Sequence, residues 1–115
     1  MKILGFSEGY HDAGVTLIEN GEILYASHAE RYSKKKNDRL IHPQQIKKSD
    51  VVAFYENSFL KNTRRLYSGQ GWKRRKTTIP YDYAYSHHQS HAAAGYFTSP
   101  FNDCNVLVVD AIGEW

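Results

Sequence analysis

A chain of 115 residues has room for one domain and not for two. Its 41% hydrophobic content and 16 aromatic residues (9 Tyr, 5 Phe, 2 Trp) support a packed core and exclude global disorder, while the lone Cys104 excludes a disulfide framework and a cysteine-rich zinc site. The net charge of +3 is unevenly placed, because residues 31–76 hold 14 of the 15 Lys and Arg against three acids. Such a segment suits a phosphate-bearing partner or a plain solvated face. No apolar run nears the roughly 20 residues that span a bilayer. The start, MKILGFSEGYHD, turns polar too early for a signal peptide, so a reducing, cytoplasmic setting is expected.

In chain order, residues 2–7 (KILGFS) read as a strand, and after the polar turn EGYHDAG a second apolar run covers Val15 to Ile18. Asn20-Gly21 then separates that run from Ile23 to Ala26. Asn-Gly between alternating apolar stretches is a strong hairpin signal, so the first 27 residues predict a three-stranded antiparallel meander. The basic stretch ERYSKKKNDR has no period and reads as a loop, and PQQIKKSD has room for two helical turns at most. Val51 to Tyr55 is a continuous apolar run of the central-strand kind.

Farther along, Phe59, Leu60, Leu66 and Tyr67 fit one amphipathic helix, followed by the basic loop GQGWKRRK. Tyr85 to Phe97 is Ala-rich and reads as a helix that stops at Ser99-Pro100. Asn105 to Asp110 (NVLVVD) reads as a buried strand running into AIGEW. A strand that stops at a Gly-Glu turn lacks a partner to close its hairpin, so the chain is expected to be the front part of a longer enzyme or a remnant of one. Together these elements predict an α/β lobe with a mixed sheet.

The sharpest chemical signal is SHHQSHAAAG. On a helix, His87 and His91 stand at i and i+4 on one face, able to converge on one ion, whereas His88 points about 100° away. Two imidazoles and a carboxylate form the usual facial set for Fe(II) or a similar divalent metal, and Asp110 is the nearest third ligand. The plainer alternative is that the histidines only satisfy polar neighbours. His11-Asp12 lies in a turn bounded by Gly9 and Gly14, where backbone N–H groups can face an anion and His11 can move protons near neutral pH. Lys34, Lys35 and Lys36 repel one another unless solvated or facing an anion such as phosphate. Arg64, Arg65 and Lys73 to Lys76, with Tyr67 and Trp72 among them, combine charge with stacking surface, which suits single-stranded nucleic acid or an exposed loop.

Taken in order, HDAG (11–14), NGEI (20–23), ERYSKKK (30–36), HHQSHAA (87–93), SPF (99–101) and VDAIGEW (109–115) resemble the N-terminal region of the carbamoyltransferases that decorate nodulation factors and antibiotics. The resemblance touches both ends of the chain and is weak across residues 40–80. It implies the first lobe, over residues 1–115, of an actin-like ATPase (ribonuclease H-like) fold whose second lobe and C-terminal domain lie outside this sequence. It implies formation of a carbamoyl-adenylate from carbamoyl phosphate and ATP, and transfer of the carbamoyl group to a small hydroxyl-bearing acceptor. In that reading His87, His91 and Asp110 bind a divalent metal, iron, that contacts the adenylate phosphate. His11 lies beside the carbamoyl carbon as base or polariser, Lys36 holds the phosphate end, and Asp12 joins the substrate site. A partner chain could supply the missing lobe. The segment His42 to Ile46 is shorter than the family's helix there, which is expected to leave one sheet face open. The rival reading is a small basic binding protein for nucleic acid or another anionic partner.

Overall fold

The computed structural model describes residues 1–9, 12–72 and 76–110. Its centre is a five-stranded mixed sheet of order β3-β2-β1-β4-β5, built from β1 (Lys2–Ser7), β2 (Gly14–Glu19), β3 (Glu22–His28), β4 (Val51–Phe54) and β5 (Tyr83–Ala84). The predicted meander is present: β1 pairs antiparallel with β2, and β2 with β3. Asn20 (φ 51°) and Gly21 (φ 85°) both occupy the left-handed region, as a type I′ turn requires, and that turn matches the twist of the flanking strands. A bulge at Leu17/Ile18 shifts the pairing so that Ile18 faces Ile23.

On the other side of β1 the sheet changes sense. Strands β4 and β5 both run parallel to β1, so three strands deliver their carboxyl ends to one end of the sheet. Alternation places Leu4 and Phe6 of β1, Val15 and Leu17 of β2, and Phe54 of β4 on one buried face. Ile41 and Ile79, from the long connections, close over that face together with Ala13 and Ala29. Tyr81 stacks on Phe54 at 5.2 Å between ring centroids, and Phe6 lies 4.9 Å from Phe54. The opposite face is more open: Ile3, Val51 and Ala53 are half-buried and Ile18 is exposed. The segment at 42–46 does not explain this, since Ile41 and Gln45 lie buried with the core.

Between β3 and β4 the stretch expected to be a loop begins with one helical turn, α1 (Glu30–Ser33), ended by Lys34 in the left-handed conformation. The turn forms because the fully buried Ala29 anchors it, its N–H donating to the Ala13 carbonyl at 2.7 Å. A 3-10 turn, Pro43–Gln45, follows with Pro at its first position and a reciprocal His42–Gln45 cap. Gln45 is fully buried, and its amide donates to the Ser27 carbonyl and hydroxyl at 3.2 Å, so its polar atoms are satisfied.

The predicted amphipathic helix is α2 (Ser58–Tyr67), capped by Asn57, whose side chain accepts from the Phe59 and Leu60 N–H groups. Its apolar residues do not enter the core. Phe59, Leu66 and Tyr67 are exposed, and the buried residue of this helix is Asn62.

One expectation fails. Asn105 to Asp110 is not a strand: it is an irregular segment in which Leu107 and Val109 are 87% and 82% exposed. The place beside β4 is already taken. Residues Asp82 to Tyr85 occupy it, with the Asp82 N–H donating to Val52 O at 2.9 Å, the Val52 N–H donating to the Asp82 carboxylate at 2.7 Å, and the Tyr85 N–H donating to Phe54 O at 3.1 Å. Asp110 therefore reaches its neighbours from a loose segment and not from a strand end.

Candidate metal centre and anion cleft

Helix α3 (His87–Phe97) starts two residues later than predicted, because Ser86 is its cap. The Ser86 hydroxyl accepts from the Gln89 N–H and the Gln89 side chain accepts from the Ser86 N–H, each at 3.2 Å. Ser90, one turn in, donates to the Tyr55 carbonyl at 2.8 Å and so fastens α3 to the residue that follows β4. The Tyr55 ring meets the His87 ring edge-on at 5.6 Å. The first turn of α3 is thereby held at the carboxyl end of β4.

That fixes the histidines. His87 Nε2 lies 3.0 Å from His91 Nε2, with the rings perpendicular, and 2.8 Å from Asp110 Oδ2. The three donor atoms all fall within 4.8 Å of one another, and His88 is not among them. A single ring nitrogen has one in-plane valence, so His87 Nε2 can hydrogen-bond one of these neighbours and not both. A divalent cation removes the conflict. Ligand atoms about 2.1 Å from a common ion and at right angles lie about 3.0 Å apart, which matches the two short separations. Imidazole and carboxylate suit iron, zinc or manganese, so the donor set fits the expected metal.

A second feature lies where β1 ends. Gly9, Lys35, Lys36, Asp38, Arg39 and Leu40 line an open cleft of about 520 Å³. Its wall is tied to the turn after β1, with the Gly9 N–H donating to Arg39 O at 2.8 Å and the Ala13 N–H to Asp38 O at 2.7 Å. Three cations around one cleft favour an anion there. The Ser33 hydroxyl, and then the Leu40 N–H, hold the Asp38 carboxyl below its ordinary value, so it stays ionised and keeps the loop closed on itself.

The structure brings His87, His91 and Asp110 together and puts Lys36 in the cleft. Asp12 is an exposed residue of the neighbouring turn and does not line the cleft, and His11 lies outside the described residues. Sequence reasoning treats Lys35 only as one of three lysines that face solvent or an anion, and it does not single out Arg39, which joins Lys35 and Lys36 in the cleft. It also missed Glu8, a buried carboxylate that accepts hydrogen bonds from the Ile41 and Thr78 N–H groups and so holds both core-closing connections. Centre and cleft occupy the same end of the sheet, since Tyr55 follows β4 and donates its N–H to Phe6 of β1 at 3.2 Å. The carboxyl ends of parallel strands are where open α/β sheets bind ligands.

Among the described residues no helix is long and apolar enough to cross a membrane. The chain is similar to the uncharacterized protein sll1178 of Synechocystis sp., 29% identical over 158 aligned residues that cover 98% of this chain and 26% of that protein. It therefore spans about a quarter of the length of this relative. The sequence pattern of the family described as Carbamoyltransferase N-terminus matches residues 49–115, more than half of the chain and the part that carries His87, His91 and Asp110; the chain belongs to that family.

Proposed function

We propose that this chain is the first lobe of an O-carbamoyltransferase, the part that holds a carbamoyl-adenylate made from carbamoyl phosphate and ATP. Membership of the family supports the general activity. The observation that carries the site is the convergence of His87, His91 and Asp110 at 2.8 and 3.0 Å at the sheet end that also bears the basic cleft. The two imidazoles and the carboxylate hold a divalent ion, iron by resemblance, which supplies positive charge for the adenylate phosphate. Lys36 binds the phosphate end, and Lys35 and Arg39 add charge that orients it in the cleft. His11 takes the proton of the acceptor hydroxyl or polarises the carbamoyl carbonyl, and Asp12 helps to place it. The full reaction also takes a second lobe, from further sequence or a partner chain, which together close the site against water.

The test is calorimetric titration of carbamoyl phosphate and ATP into the chain and into Lys36→Ala. One charge-assisted hydrogen bond to phosphate contributes about 1.5–3 kcal/mol, so the variant should bind roughly 10- to 100-fold more weakly. Equal binding by both proteins would remove Lys36 from the site. Failure of both ligands, with single-stranded DNA binding steeply weakened by salt, would favour the basic binding protein instead.

A further inference from the structure

We propose that Asp12, His28 and Glu30 form a second divalent-cation site, sharing no residue with the first and suited to a first-row ion such as Mn2+ or Zn2+. One ligand atom from each of the three lies within 4.8 Å of the other two. They come from three places in the chain: the turn between β1 and β2, the last residue of β3, and the first residue of α1.

The backbone holds these three places in fixed relation. His28 pairs with Gly14 at the end of the β2–β3 ladder, and the Ala29 N–H donates to Ala13 O at 2.7 Å. The two chain segments that carry Asp12 on one side and His28 and Glu30 on the other are thus hydrogen-bonded directly beside the ligands. A donor set on such a scaffold is formed before any ion arrives, which lowers the ordering cost of binding.

A second, independent observation concerns the imidazole. Nδ1 of His28 is buried and makes no hydrogen bond among the described residues. A buried polar nitrogen without a partner calls for an explanation, and a bound ion is one. Glu30 likewise makes no ion pair with a lysine or arginine among the described residues. Two carboxylates and one imidazole place two negative charges and a nitrogen donor in one spot, which Mg2+ and Ca2+ match poorly because they prefer oxygen alone. The site also adjoins the cleft, since Ala13, next to Asp12, donates to the backbone of Asp38. A cation there would add positive charge beside the anion that Lys35, Lys36 and Arg39 attract.

Mn2+ titration of the 115-residue chain, followed by the loss of the free-ion electron paramagnetic resonance signal, tests the site independently of the proposed function. In a His87→Ala/His91→Ala background, which lacks the first centre, one Mn2+ per chain should still bind. Asp12→Asn and Glu30→Gln, each isosteric and checked for a native circular dichroism spectrum, should each weaken it at least tenfold. Groups that merely support a metal ligand already cost roughly 10- to 100-fold, and a direct ligand costs no less. Absence of Mn2+ from the double-histidine variant overturns the proposal, as does unchanged affinity in both isosteric variants. Loss of the first centre alone would instead appear as wild-type binding that ignores His87→Ala.

Discussion

Glu8 links the fold to the cleft, and its removal should be felt in both. It is 5% exposed at the end of β1, where Oε2 accepts the Ile41 N–H at 3.5 Å and Oε1 accepts the Thr78 N–H. Hydrogen bonds to a charged group contribute about 1.5–3 kcal/mol each, and the longer Ile41 bond belongs at the low end. Glu8→Gln keeps the size and one acceptor but turns an amide NH2 toward a backbone donor, so it should cost about 1.5–3 kcal/mol. Glu8→Ala loses both bonds and leaves two N–H groups over a small void, for about 3–5 kcal/mol. With unfolding entropy near 2.1 cal/mol/K per residue, 115 residues give about 0.24 kcal/mol/K, or about 4 °C in Tm for each kcal/mol. Thermal unfolding followed by circular dichroism should therefore show Tm falling by about 6–12 °C for Glu8→Gln and about 12–20 °C for Glu8→Ala. A fall of less than about 4 °C for Glu8→Ala would show that the carboxylate does not hold the two connections.

Phe54→Ala should be as damaging, at about 3–5 kcal/mol by urea unfolding, because Phe54 is 1% exposed and contacts the rings of Phe6, Tyr55 and Tyr81. Gly21→Ala should cost about 1 kcal/mol, since nothing crowds the position and only its φ of 85° resists a side chain. Asp38 has its folded value lowered below 3.8, so its contribution is present above that pH and is lost as pH falls through the folded value. Asp38→Asn should accordingly shrink the stability difference between neutral and acid unfolding curves, and a variant that loses the same stability on acidification would contradict the Ser33 and Leu40 hydrogen bonds.

Much of this was legible because local chemistry decided it. Asn20-Gly21 admits few conformations other than a tight hairpin turn, and Ser86 with Gln89 sets the start of α3, which in turn sets the i, i+4 pair His87 and His91. Asn105 to Asp110 departs from the strand its composition suggests because hydrophobicity reports an affinity for burial and not which segments pair; Asp82 to Tyr85 hold the place beside β4. Helix α2 shows the same limit, since its periodicity indicates an apolar face and not what the face meets. The Asp12, His28 and Glu30 group was invisible because no spacing along the chain encodes it; the β2–β3 register and the Ala13–Ala29 bond create it.

The metal centre is tested most directly by titrating Fe(II), under anaerobic conditions, into the chain and into its His91→Ala and His88→Ala variants. If His87, His91 and Asp110 hold an ion, His91→Ala should weaken one Fe(II)-binding step at least roughly 10- to 100-fold while His88→Ala leaves every step unchanged, any uptake at Asp12, His28 and Glu30 being common to both variants. Affinity in the parent should also fall on acidification, because ligation needs neutral imidazoles. Equal Fe(II) affinity in the two variants would contradict the centre and leave the histidines of α3 as structural side chains.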